Sequence, residues 1–381
     1  MITAKFSFTI LKYSGLWRPK SLRSQWAFLL YNLYSFTIVF LFVTLDMSLL
    51  LFIILIPTNV EILMKNLMFF IGAFSLNFKV IYILLRRNEF IQFDNMFLEK
   101  YCHPRDEHEF FIQTKIDNFN RINSIRYFAV CYVYFAFNFV ILSLASNDIE
   151  SSLPMKAWIP YNIDKNFNFW IAYLHETLVM LIMIHAYVAL NGLTIGMMQQ
   201  ICGQLDIISH RLCQIDKLVK KNDQIPTNSQ FIILKQCVHH HSYVYLIGKK
   251  LNNILGWLAL FMSLITIIIL CSMIYQVSTH KPNSLEFWSS IASSNSLLIE
   301  IFLYCWFGQE MIGKSTGIAD AAYEIDWSNL SIKSKKYLIL IILRAARPIQ
   351  WSGFSIVTMS LETFFKVLKV SYSSFNLIKS M

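Results

Sequence analysis

The eight residues Gly308-Gln309-Glu310-Met311-Ile312-Gly313-Lys314-Ser315 match the phosphate-binding loop G-x-x-x-x-G-K-S letter for letter. That loop works where a strand turns into a helix, so that backbone amides converge on phosphate oxygens. Here an apolar helical stretch runs into the motif, Met311 and Ile312 continue its pattern, and no apolar run ending in Asp offers a magnesium site, so nucleotide is not an expected ligand. His239-His240-His241 could ligate a metal, but adjacent helical residues point about 100° apart and cannot close one site; a solvated or seam-packed face is the expectation. His175-Glu176 lacks the second His of a zinc-protease helix, and the chain has no G-x-S-x-G. The expectation is therefore no enzyme, no cofactor and no metal. What remains are ionisable residues in apolar surroundings, namely Asp46, His175, Glu176, His185 and Glu300. Such groups are costly in lipid and face a partner, water or a cavity, with helix packing and a functional role as competing readings.

The elements that must position these residues follow from composition. Of 381 residues, 56% are hydrophobic and only 15% charged, against roughly 25% charged in soluble domains, and the mean hydropathy is +0.48. Thirty-two Phe, 18 Tyr and 9 Trp beside 11 Gly and 8 Pro exclude disorder, collagen and a porin-like barrel. The class is an all-α polytopic membrane protein. A net charge of +10 does not point to nucleic acid, because the basic residues are spread between apolar segments. Runs of about 20 apolar residues mark membrane helices. Seven are expected, at approximately Phe28–Ile56, Ile62–Leu85, Tyr127–Ala145, Phe169–Met198, Ile254–Val277, Phe287–Gly308 and Phe354–Ile378, the second weakened by Lys65, Asn66, Asn77 and Lys79. The N-terminus has no signal-peptide pattern, so the first span reads as a retained anchor.

Lys and Arg number five or more before span one and in each loop between spans two and three, four and five, and six and seven. The intervening loops hold only Lys156, Lys165 and Lys281. Positive charge stays cytoplasmic, so the N-terminus is expected inside and the C-terminus outside. A G-protein-coupled receptor has the opposite orientation. Nor does any outer loop carry a cysteine; the seven cysteines read as buried thiols. The only sequon, Asn329-Leu330-Ser331, falls on the cytosolic side. Between spans four and five, Ile201, Leu205, Ile208, Leu212, Ile215 and Val219 repeat at steps of four and three. After Pro226, Ile233, Cys237, His240, Val244, Ile247 and Leu251 do the same. These are two apolar helical stripes, and spans four and five are expected to continue into the cytosol as a helical hairpin serving as an assembly platform, with packing inside its own chain as the alternative.

Tyr304-Cys305, Gly308, Ser315, Ala322-Tyr323, Trp327 and Pro348, followed by Thr363-Phe364, Lys369, Ser371-Tyr372-Ser373, Phe375 and Leu377, resemble the C-terminal signature of insect odorant receptors. Gly15-Leu16-Trp17 near the start, the length, the seven spans and the inside N-terminus agree. The resemblance implies a ligand-gated, non-selective cation channel, assembled as a heterotetramer from an odorant-tuned subunit and a shared olfactory co-receptor in the plasma membrane of olfactory sensory neurons. This chain resembles the variable subunit, because the co-receptor has a much longer loop between spans four and five. A self-sufficient homomeric channel of gustatory type is the alternative, and a transporter is disfavoured by the absence of an inverted repeat.

The resemblance also divides the chain. Residues 1–27 would be a cytosolic segment, 28–198 spans one to four with the ligand site in their outer half, 199–253 the hairpin, 254–308 spans five and six, 309–352 a cytosolic anchor containing the first half of a split seventh helix, and 353–381 the pore helix. Odorant is expected among Met64, Met68 and Ile71 of span two, Phe135, Asn138, Phe139 and Leu142 of span three, Trp170, Tyr173 and Thr177 of span four, and Ile291, Ser294, Asn295 and Leu298 of span six. Tyr173, Thr177 and Asn138 would be the polar handles. Val370, Ser373, Leu377 and Ser380 share one side of the last helix, with Leu377 as the expected gate. Tyr323 and Trp327 are the expected assembly anchors.

Overall fold

The computed structural model describes residues 4–19, 24–55, 60–136, 153, 155–162, 166–221, 227–279, 281, 284–353 and 356–380; in some helical stretches, among them 217–221, Ser294 and 377–380, it describes the backbone alone. The chain is a bundle of ten described helices: α1 (Lys5–Tyr13), α2 (Gln25–Leu55), α3 (Val60–Leu85), α4 (Arg87–Met96), α5 (Glu107–Phe135), α6 (Asn166–Lys221), α7 (Thr227–Thr279), α8 (Leu285–Tyr323), α9 (Ile332–Ala345) and α10 (Leu361–Ser380). Among the described residues, α2, α3, α6, α7 and α8 are long and apolar enough to cross a membrane. The expected span Tyr127–Ala145 begins inside α5 and leaves the described residues beyond position 136.

Two helices dominate. α6 and α7 have 56 and 53 residues, roughly 80 Å each at about 1.5 Å per residue, well beyond a bilayer. The excess is the expected hairpin. Ile201, Leu205, Ile208, Leu212 and Ile215 are fully buried, as are Cys237, His240, Val244, Ile247 and Leu251; the side chain of Val219 is outside the described set. This burial occurs within one chain, so the seam itself is spent on intrachain packing and any partner must use another face. α2, by contrast, exposes Leu29, Leu30, Leu33, Phe36 and Phe40, as a lipid-facing helix does.

α1 packs Phe8 and Leu11 inward and ends where Gly15 takes φ of +74°, a left-handed turn that only glycine adopts freely. The turn drives Leu16 and Trp17 into the core. Among the described residues, side-chain caps start four helices: Asp106 on the Glu109 amide, Ser284 on Phe287, Ser331 on Ser334 and Ser360 on Thr363. The last span starts later than the apolar pattern suggests. Ahead of it two short strands, β1 (Ser352–Gly353) and β2 (Val357–Thr358), pair antiparallel, Ser352 with Thr358. α10 then begins at Leu361, because buried Trp351 and Met359 tie the strand pair to the core and Trp351 Nε1 donates to the Leu255 carbonyl. Gly308 lies against this pair so closely that a Cβ there would stand 2.2 Å from the Met359 carbonyl oxygen.

Candidate ligand cavity

A cavity of about 230 Å³ opens among α3, α5, α6, α7 and α8. Six of the chain's 15 methionines line it: Met68, Met155, Met180, Met183, Met262 and Met273. Thioether side chains are unbranched and adaptable, so this wall can close on ligands of more than one shape. Its aromatic members are Phe69, Tyr134 and Tyr187, and its one charged member is Glu300.

Of the residues expected to hold ligand, Met68 is on the wall. Trp170 is 60% exposed and turned outward; Met64, Ile71, Phe135, Tyr173, Thr177, Ile291, Asn295 and Leu298 are not among the lining residues. Asn138, Phe139 and Leu142 lie outside the described residues, as does the side chain of Ser294. On α6 the wall runs one to three turns deeper than expected, through Met180, Met183, Ile184 and Tyr187. The reason is helical phase: Trp170, Leu174 and Leu178 form an exposed ridge, and the inward face is the one carrying Val179, Met183 and Ala186. The handles expected at Tyr173 and Thr177 therefore sit off this cavity, and Thr177 Oγ1 is buried without a hydrogen bond.

Each of the five ionisable residues singled out in the sequence has a partner among the described residues. Glu300 Oε1 accepts from Lys79 Nζ at 2.7 Å and Oε2 from the Tyr187 hydroxyl at 2.5 Å. Lys79 also reaches Asn191 Oδ1 at 3.2 Å, which accepts from Tyr304 at 2.6 Å. Asp46 accepts from the Asn77 amide, Glu176 from the Met155 backbone N–H at 3.0 Å, and His175 meets Thr44 at 3.3 Å. His185 Nδ1 lies 2.6 Å from the Leu181 carbonyl. A carbonyl only accepts, so Nδ1 carries the proton and Nε2 accepts from Tyr132, 2.9 Å away. The polar residues that weakened the second span in the sequence, Asn77 and Lys79, are thus the partners of acids elsewhere. An excess of polar residues in that span was the signal available.

In the hairpin of α6 and α7, Arg211 uses all five donors: a fork onto Glu109 at 2.7 and 2.8 Å, the Tyr101 and His103 carbonyls, and His240 Nδ1 at 3.1 Å. His240 accepts from a guanidinium, so its proton sits on Nε2, which donates to Gln204 Oε1 at 3.0 Å. Burial, with Arg211 and Arg105 nearby, holds its pKa well below the ordinary value. His239 is exposed and its ring faces Tyr101, so the three imidazoles diverge. The G-x-x-x-x-G-K-S octet lies wholly inside α8, and Lys314 pairs with Asp206 at 2.6 Å and Glu310 at 3.1 Å. All seven cysteines are free thiols; six are buried and Cys213 is exposed, a correction to the expectation that all would be buried.

In α10, Val367, Ser371 and Phe375 are buried while Val370 and Ser373 are exposed; the side chains of Leu377 and Ser380 are outside the described set. Tyr323 is 77% exposed and Trp327 half-buried. The signature residues are structural joints. Tyr304 lies edge-on to Trp351, Ser315 Oγ accepts from the Ile349 amide at 3.0 Å, and Cys305 and Ala322 are fully buried.

Comparison with known proteins agrees with this architecture. The chain is similar over 133 to 150 residues to Odorant receptor Or2 of Anopheles gambiae (33% identity, 39% of each chain) and Odorant receptor 85f of Drosophila melanogaster (29% identity, 35% of this chain and 34% of that one). It thus matches between a third and two fifths of the length of these relatives. The solved structure of the insect olfactory receptor OR5 from Machilis hrabei in complex with eugenol superimposes with a TM-score of 0.83 at 14% identity, covering 99% of this chain and 97% of that one. The fold is therefore that of an all-α polytopic membrane protein. The model of the 7tm Odorant receptor family matches residues 59–372, and the chain belongs to that family.

Proposed function

We propose that this chain is the odorant-tuned subunit of a ligand-gated, non-selective cation channel that works as a heterotetramer with the olfactory co-receptor in the plasma membrane of olfactory sensory neurons. The observation that carries the reading is the methionine-lined cavity in a chain of this family. At about 230 Å³ it is smaller than the roughly 300–1,000 Å³ that hold drug-sized ligands, a size suited to a small volatile. Its largely apolar wall supplies affinity by burial at about 25 cal/mol per Å². The Machilis hrabei receptor of the same fold is in complex with eugenol, itself a small aromatic volatile.

N-terminus inside, C-terminus outside and a division into ligand bundle, hairpin, anchor and pore helix complete the proposal. The pore would be lined by Val370, Ser373, Leu377 and Ser380 of α10, whose described outer face is unpartnered within the chain. Tyr323 and Trp327, with exposed Ile332, Ile339, Leu340 and Leu343 of α9, would meet neighbouring subunits, since buried aromatic anchors dominate interfaces. The test is expression alone and with the co-receptor against an odorant panel. Odorant-evoked current only with the co-receptor is expected; robust current from this chain alone would establish the gustatory-type homomer instead. Met183→Trp, which fills the cavity, should raise the half-maximal concentration at least tenfold at unchanged surface expression.

A further inference from the structure

We infer that the ligand of this cavity carries a hydroxyl, and that Glu300 is the acceptor that selects for it, with the Thr266 hydroxyl as a donor on the same wall. This rests on the cavity being the odorant site.

The polar groups on the cavity wall are few, and most are spent. Ser75 Oγ donates to the Gly72 carbonyl in its own helix at 2.7 Å. The Tyr187 hydroxyl is given to Glu300. Thr266 and Glu300 keep capacity. Thr266 lines the cavity, is 2% exposed and makes no hydrogen bond among the described residues. Glu300 lines it too, at 4% exposed, and each of its oxygens has one described donor, Lys79 or Tyr187. A carboxylate accepts about four hydrogen bonds, so even with the Tyr304 hydroxyl also interacting with it Glu300 retains capacity for a further donor. Glu300 also lines a second cavity of about 430 Å³ between α5, α6 and α8, and so stands in the wall between two spaces rather than sealed in packing.

The chemistry of these two groups is directional. An ionised carboxylate only accepts, and a buried acceptor left without a donor keeps its desolvation cost. A ligand hydroxyl donates to Glu300, while Thr266 donates to an oxygen of the ligand. An ether of the same skeleton accepts from Thr266 but gives Glu300 nothing, and sites built to bind a hydroxyl reject analogues that lack it far more strongly than apolar pockets reject a methylene. Lys79 pairs with the acid at 2.7 Å and orients it, and a hydrogen bond to a carboxylate in such a pair is charge-assisted.

The test uses the full chain co-expressed with the co-receptor and a panel of matched alcohol and methyl-ether pairs, aliphatic and aromatic, of six to ten carbons. Expected is a preference for the alcohol of tenfold or more in half-maximal concentration. Glu300→Gln alone strands the Lys79 ammonium and can fail to fold, so it is paired with Lys79→Met. In that neutral variant Tyr187 keeps an acceptor oxygen while the position facing Lys79 becomes a donor, and the preference should fall to within threefold. Thr266→Val should weaken alcohol and ether alike and leave their ratio unchanged. Equal wild-type responses to alcohol and ether, a panel in which no alcohol activates or blocks, or a preference that survives in Lys79→Met/Glu300→Gln would each overturn the inference. Insensitivity of every response to Met183→Trp would instead remove the cavity as the odorant site, a distinct failure.

Discussion

Acidification should loosen the α6–α7 hairpin, and His241 of α7 lets the size be worked out. Its side chain is buried, Nε2 has no hydrogen-bond partner, and its ring sits edge-on to Tyr245, 5.1 Å away. The Arg344 guanidinium lies over the same Tyr245 ring at 3.7 Å. Burial, then the charge of Arg344, lowers the imidazole pKa from 6.5 to about 4. Because the folded value is below the unfolded one, the unfolded chain binds the proton first as pH falls. The contribution is therefore complete above about pH 7, declines as pH drops through 6.5, and is gone below about 4. Integrated from pH 7.5 to 5.0, about 1.5 pH units of difference cost about 2 kcal/mol at about 1.4 kcal/mol each. His241→Phe keeps the aromatic volume and removes the titration. Thermal unfolding of the detergent-solubilised protein, followed by tryptophan fluorescence at pH 7.5 and 5.0, separates this term from all others. The wild type should lose a few degrees more than His241→Phe over that interval. Equal losses in the two proteins would refute the reasoning, since the phenylalanine variant cannot take up the proton.

Arg211→Met should cost about 3–5 kcal/mol and abolish surface expression by leaving the Glu109 carboxylate buried and unpaired; adding Glu109→Leu should restore much of it, as surface labelling would read. Gly308→Ala should destabilise by about 1–3 kcal/mol, because the new Cβ meets the Met359 carbonyl. Gly313→Ala, one helical stretch on with no atom within 4 Å of a built Cβ, should be neutral or stabilising by up to about 1 kcal/mol, and thermal unfolding compares the two. Leu377→Ser in the assembled channel should raise resting leak or change ion selectivity in patch recordings; no change in either would remove Leu377 as the gate.

Helical phase was legible wherever one side of a helix meets protein and the other does not. The two stripes of the hairpin are such a case: every described member of the first is buried, as is the second apart from half-buried Ile233. Phase was not legible in α6 near Trp170, where both faces are apolar and sequence offers no contrast between lipid and core. There the wall moved to Met183 and Tyr187. The start of α10 was also missed, since the short strand pair β1–β2 is written in the same apolar letters as the span it precedes.

The charges inside the bundle make the complementary point. Lys79 reads as a blemish on an otherwise apolar span, and Glu300 as an isolated acid 221 positions away, yet they meet at 2.7 Å with side chains at most 5% exposed. Neither would be tolerated alone in a low-dielectric interior, so each is the reason the other can be there. Sequence separation hides such a pair, because nothing local to either residue names its partner. The pair ties α3 to α8 beside the cavity, and the acid keeps capacity beyond what the lysine and Tyr187 engage. A stabilising contact that merely joined two helices would have no use for an acceptor on the cavity wall, and that surplus capacity is what makes Glu300 a group for a ligand as well as for the fold.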